Sequence, residues 1–244
     1  ATAASDQWFL SQEWRDHRDG NRNVAAHEDC IRGITETETW ISANAAALQA
    51  ASSAPAVEEA RLYLVGLRAM QNQLWVADPG GYQARDFGMA ELVRRIHALR
   101  TPGKKTIIWA WNWHIARRYQ DVRGWNDNPQ DNIRRQGARA MGSFLSEALG
   151  SDYFPIALIG HRVLINSGGV TPPVTSHPEA VEWRLKQLGK PYLLVDLRQP
   201  LPQSLLPSGP TYQISQEWGD PYRQFSALLY LENSGPMIYV NSGL

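Results

Sequence analysis

Lys104-Lys105-Thr106-Ile107-Ile108-Trp109-Ala110-Trp111-Asn112-Trp113-His114-Ile115-Ala116-Arg117-Arg118 begins β-branched and aromatic and ends polar and basic. The run from Thr106 to Ala110 follows a Pro102-Gly103 turn signal and has the length and composition of a core strand. In α/β proteins, ligands bind outside the carboxyl ends of such strands. That rule puts Asn112 and His114 where chemistry is usually done. Upstream, Arg85-Asp86-Phe87-Gly88-Met89-Ala90-Glu91 starts a helix that feeds this strand.

Working outward, the fold class is α/β: a mostly parallel sheet flanked by helices, with an amino-terminal helical hairpin. The helix from about Arg85 to Leu99 carries Met89, Leu92, Val93, Ile96 and Leu99 on one stripe. Another is expected from Asn132 to Leu149, stopped by Gly150. Strands are expected over Phe154 to Gly160, with Val163 to Asn166 continuing the first or forming a hairpin arm, then Tyr192 to Leu197, buried, and Phe225 to Leu231. Met237 to Val240 could add a short one. Ser176 and Glu179 have the spacing of a capping box for a helix to Leu188. Helices alternating with strands point to parallel pairing. Before residue 80 the pattern is helical: one long helix from Asn23 to Ala51, a Ser52-Ser53-Ala54-Pro55 break, then a helix to Val76. Asp78-Pro79-Gly80-Gly81 is a turn and hinge. The expected division is therefore 1–80 for the hairpin and 81–244 for the α/β region with the site.

The totals exclude several functions. Lysine plus arginine number 24 and aspartate plus glutamate 24, so formal net charge is zero. This balance argues against nucleic-acid or membrane-surface binding. The single cysteine, Cys30, permits neither an internal disulfide nor a cysteine-rich zinc site. No apolar run reaches the length of a membrane span. Walker, Rossmann and G-x-S-x-G motifs are absent, which argues against nucleotide binding and serine hydrolysis. No cofactor and no metal are expected. The chain starts at Ala1 without a leader, which fits a cytoplasmic protein or one exported and then processed.

His114 is the first candidate for chemistry. A neutral imidazole there could act as a general base on water or an alcohol, or could bond loop carbonyls and fix the turn. Arg85 and Asp86 form a second constellation. Asp86 can cap the helix, and Arg85 can hold a carboxylate bidentately or tie the helix to the sheet. Trp109, Trp111 and Trp113 alternate and would share one face of a continuing strand. Trp109 fits the core, whereas Trp111 and Trp113 could equally form an aromatic platform for substrate. His161 follows Gly160 at another strand end and could converge on the rim of His114. Two histidines without a spaced carboxylate make a weak zinc signal.

Three of these segments together resemble the erythromycin esterase family. Its helix start R-D-x-x-M-A-E appears as Arg85-Asp86…Met89-Ala90-Glu91. Its strand-end W-A-H-N-x-H appears as Trp109-Ala110-Trp111-Asn112-Trp113-His114. Its M-G-x-x-L-x-x-x-L-G helix appears as Met141-Gly142…Leu145…Leu149-Gly150, followed by Asp152-Tyr153. Order and spacing agree over residues 80–160, and Phe225 to Glu232 is similar to the family's last strand.

The resemblance implies metal-independent hydrolysis of an ester or lactone by water activated through histidine and glutamate. The substrate would be a small ester or macrolide-like molecule. The residues expected to carry this chain's share are His114 and Arg85 in catalysis, and Asn112, Trp111, Trp113 and His161 in substrate contact. Trp111 stands where the family has its first histidine, the one implicated in catalysis. The family's amino-terminal G-E-x-x-H-like element has no counterpart here; His27-Glu28-Asp29 lies mid-helix without a preceding strand. The resemblance thus covers the carboxyl-terminal half, and a second polypeptide could supply the rest. The rival reading is an inactive protein on the same scaffold that binds a ligand or partner. A haem- or iron-binding relative is a third.

Overall fold

The structure is a computed structural model. It describes residues 24–75, 80–124, 137–163, 174–176, 178, 180–200, 202, 212–214 and 217–234. The expectations for the helix before residue 137, for Val163 to Asn166 beyond the strand, and for Met237 to Val240 fall partly or wholly outside these residues. The fold is α/β with a helical hairpin at its start. The chain divides into two compact units, Ala1–Trp109 and Ala110–Leu244.

The first unit is helical. Helices α1 (Val24–Ala43), α2 (Ala45–Ala51) and α3 (Ala54–Trp75) build the hairpin. Ile34 and Ile41 of α1 pack with Val57 and Leu64 of α3, and Cys30, Ile31 and Leu48 lie against them. Arg68 pairs with Glu38 at 2.6 Å, and His27 meets Gln71 at 3.5 Å, which fixes an antiparallel register. The long helix expected to Ala51 breaks at Asn44, whose side-chain amide and N–H both donate to the Trp40 carbonyl. Asparagine competes with the helix in this way. Helix α4 (Gly80–Arg100) then packs antiparallel on α3. Gly88 makes this possible, because a Cβ there would lie 2.1 Å from the Ala69 Cβ. The helix assigned by sequence to the α/β region therefore belongs to the helical unit. Its buried positions are Asp86, Gly88 and Ala90, and Ile96 of the expected apolar stripe is exposed.

Thr106 to Ala110 is not a strand. Ile107 is 94% exposed and Trp109, expected in the core, is 85% exposed. β-branched and aromatic side chains favour a pleated, half-buried surface only when neighbours complete the ladder. Among the described residues none pairs with this run. Thr106 instead bonds His97 Nδ1 at 2.8 Å and the Thr101 hydroxyl at 2.9 Å.

The second unit opens with a helical turn, α5 (Asn112–Ile115), and a two-residue strand β1 (Arg123–Gly124). Helix α6 (Met141–Leu149) leads into β2 (Ile156–Val163). Then come β3 (Val174–Thr175), helix α7 (Val181–Lys186), β4 (Tyr192–Asp196), β5 (Tyr212–Ile214), β6 (Glu217–Gly219), helix α8 (Pro221–Gln224) and β7 (Ala227–Ser234). The main sheet has the order β3-β2-β7-β4, and β1, β6 and β5 form a smaller one. Parallel pairing holds at the centre, β2 with β7, while β3 and β4 join antiparallel, so the sheet is mixed.

Along β2, Ala157 pairs with Leu228 and Ile159 with Tyr230, and all four point into one core. Val181 and Leu185 of α7 cover them, together with Phe225, Tyr119 and Leu197. The alternate residues Ile156, Leu158, Leu194 and Leu229 occupy the other face and are exposed. The strand expected to be buried at Tyr192 to Leu197 is thus covered on one side only. Helix α7 starts at Val181 without a side-chain cap. Ser176 is no capping box residue, because its hydroxyl bonds His161 Nδ1 at 2.6 Å.

Candidate functional site

The turn that follows the exposed run is tied down at both ends. At its start the Asn112 amide donates to the Leu158 carbonyl at 2.6 Å and accepts from the Leu158 N–H at 3.0 Å. These are the two groups a neighbouring strand would have engaged. Trp111 has extended dihedrals before the turn, and the His114 N–H donates to its carbonyl at 2.9 Å. At the far end the Gln224 side chain accepts from the Arg118 N–H at 3.0 Å and donates to the Arg118 carbonyl at 2.8 Å. The Gln224 backbone carbonyl also takes the Arg117 N–H at 3.1 Å.

Two further contacts fix the middle. The Tyr153 hydroxyl donates to the Ile115 carbonyl at 2.7 Å. Helix α6 comes so close that a Cβ on Gly142 would sit 2.3 Å from the same oxygen. Arg117 reaches the Tyr153 carbonyl at 3.2 Å and the Ser226 hydroxyl at 2.5 Å. Burial pushes the Tyr153 phenol far up, and the Arg117 guanidinium opposes that only in part. Burial likewise lowers Arg117.

On this turn the His114 imidazole stacks on the Trp113 indole with ring centroids 3.7 Å apart and 28° between planes. Trp113 in turn meets Tyr119 at 5.5 Å and packs against the core. His114 is half-buried, and Trp111 is 52% exposed beside it. The three tryptophans do not share a strand face, since Trp111 precedes a helical turn that contains Trp113. Asn112, Trp113 and His114 are therefore gathered, with Trp111 at their edge.

His161 stands elsewhere along β2, three residues and roughly 10 Å of strand beyond Leu158. It is buried, bonded to Ser176, and edge-on to Trp183 at 5.3 Å. Burial first, then Lys186, lowers its pKa, and Glu232 opposes them. Glu182 and Tyr230 are fully buried in the same unit, and the Tyr230 phenol is pushed up to about 12 by burial, Glu232 and Glu182. Arg85 belongs to the first unit. Its Nε lies 3.3 Å from Asp86 Oδ1, its guanidinium lies over the Tyr82 ring at 5.0 Å, and Asp86 is only 1% exposed. Among the described residues no three His, Cys, Asp or Glu side chains gather as metal ligands, and no helix is long and apolar enough to cross a membrane.

Sequence reasoning did not anticipate Gln224 or the use of Tyr153. Gln224 lies 106 residues from Arg118 and carries no local signal. Tyr153 was visible only as part of the Asp152-Tyr153 motif.

The comparisons agree with this architecture. The erythromycin esterase family model matches residues 6–233, so the match takes in the helical unit as well as the sheet. The chain belongs to the erythromycin esterase family. Among solved structures, a Bacillus cereus protein aligns with a TM-score of 0.65 at 15% identity, over 94% of this chain and 60% of that one. A mutant of the erythromycin esterase EreC in its open conformation aligns with a TM-score of 0.61 at 18% identity, over 91% and 56%. A succinoglycan biosynthesis protein aligns with a TM-score of 0.52 at 16% identity, over 87% and 62%. The chain thus spans about three fifths of the length of these structures. No curated protein matches it significantly.

Proposed function

We propose that this chain contributes the His114 side of a site that hydrolyses an ester or lactone of a small, macrolide-like molecule. The observation that carries the reading is the anchored turn, which holds a half-buried imidazole against Trp113 in a member of the erythromycin esterase family. His114 takes a proton from water as the resulting hydroxide attacks the ester carbonyl. The tetrahedral intermediate collapses, and the departing alkoxide recovers a proton. Trp111 and Trp113 offer apolar contact to substrate. A glutamate partner would come from polypeptide outside residues 1–244, as a second chain or as more of the same one.

The test is hydrolysis of a panel of macrolides and simple esters by the protein, alone and with any co-purified polypeptide. General-base catalysis contributes about 10²- to 10⁴-fold, so His114→Ala should lower turnover by that factor. Equal turnover by the variant would remove His114 from the mechanism.

One observation favours a second reading. Trp111, half-exposed, occupies the place of the family's first histidine, and an indole offers neither a base nor an acceptor. On this reading the chain binds its ligand without turnover. Tight binding of an intact macrolide, weakened by Trp111→Ala, would support it.

A further inference from the structure

We propose that Asn112 and Gln224 are positioning residues, two side-chain amides that hold the His114 turn between them. Their kinetic consequence rests on the hydrolytic reading above; their structural consequence does not. A primary amide carries one acceptor oxygen and a donor nitrogen, so it can satisfy a peptide's N–H and C=O together. Asn112 does this at Leu158, and Gln224 does it at Arg118. The seven residues from 112 to 118 are strung between the two, with His114 among them.

Each clamp has a feature that an incidental contact lacks. Asn112 engages β2 where no strand pairs with Leu158 on that side among the described residues. Gln224 is fully buried, so its amide has no water to turn to, and its own backbone carbonyl adds the bond from Arg117. Helix α8, which carries it, is itself anchored: Asp220 accepts the Tyr222 N–H at 2.9 Å. Both polar ends of Asn112 are occupied by Leu158, which assigns it to holding the turn rather than to touching substrate. A general base must sit within hydrogen-bond reach of the proton it takes, and a displacement of about 1 Å can cost on the order of 100-fold in rate.

The experiment compares wild type, Asn112→Ala and Gln224→Glu. Asn112 is only half-buried, so its truncation leaves the core intact. Gln224→Glu keeps the acceptor for Arg118 and removes the donor to the Arg118 carbonyl. Amide hydrogen exchange is followed by NMR at Leu158 and Arg118, with Ile159 as the internal reference, together with the imidazole signal of His114. Loss of one hydrogen bond should speed exchange of Leu158 in Asn112→Ala by about tenfold while Ile159 stays protected. The His114 signal should broaden or split in both variants. In the ester assay kcat should fall about 100-fold, with KM within about twofold of wild type. Unchanged Leu158 exchange and an unchanged His114 signal would overturn the assignment. So would faster exchange with wild-type kcat, because the clamps would then be structural only. If wild type hydrolyses nothing, the hydrolytic reading fails, while exchange and the His114 signal still decide whether the clamps hold the turn.

Discussion

Asn112 completes Leu158: one side-chain amide occupies both the N–H and the C=O of a strand residue 46 positions away. Open strand edges invite unwanted pairing, and proteins blunt them by short strands, charges or cover. Here a side chain performs that service at one residue. The same bond pair starts the turn that carries His114, so edge protection and site geometry share one group.

Tyr153→Phe removes the hydroxyl that donates to the Ile115 carbonyl. That carbonyl then lacks its partner under helix α6. The expected loss is about 1–3 kcal/mol, measurable as a lower midpoint in urea. The wild-type phenol is held above its ordinary pKa of 10.0 by burial. The unfolded chain therefore ionises first as pH rises past 10, and stability falls from there upward. Tyr153→Phe should flatten that alkaline decline in part, leaving the share due to Tyr230. An unchanged slope would contradict the buried-phenol assignment.

His161 titrates in the opposite sense. Burial and Lys186 hold its pKa below 6.5, against Glu232. The unfolded chain takes up a proton near pH 6.5 that the folded chain resists, so stability is present above that pH and is lost as pH falls through the folded value. Thermal midpoints measured between pH 7.5 and 5 should decline, and His161→Gln should decline less steeply. Parallel curves for the two proteins would refute this.

Gly142→Ala places a methyl group against the backbone of Ile115 and Ala116. Neither carbonyl can swing away as a flexible side chain would. Overpacking of this kind costs about 1–3 kcal/mol. A melting midpoint unchanged from wild type would show that α6 and the turn are farther apart.

Leu185→Ala empties a fully buried site between α7 and the sheet. The expected loss is about 2–5 kcal/mol from lost transfer energy plus the remaining cavity. Chemical denaturation with an unchanged m-value would report it. Leu188, which is exposed at the end of the same segment, should tolerate alanine within about 0.5 kcal/mol.

Much of the scaffold was legible because local signals agreed with the final packing. Pro55 and the serines before it marked a helix boundary, and the strands expected at Phe154 to Gly160 and Phe225 to Leu231 overlap the two parallel strands β2 and β7. Thr106 to Ala110 misled because strand composition describes the side chains and says nothing about who supplies the ladder. Asp86 has the composition of a cap yet lies buried within a helix, since the contact at Gly88 and Ala69 decides which face of α4 turns inward. Of the site, Asn112, Trp113 and His114 were readable from adjacency alone. Gln224 was not, because a pairing across 106 residues leaves no trace in spacing.

The distance between Arg118 and Gln224 also has a temporal side. Ribosomes add about 5–20 residues per second, so roughly 5–20 s separate the birth of the imidazole's turn from that of its anchor. Until Leu158 has been made the nascent segment has neither fastening, and from then until Gln224 it has only the one at Asn112. A chain interrupted short of α8 would keep its early helices yet never finish the turn.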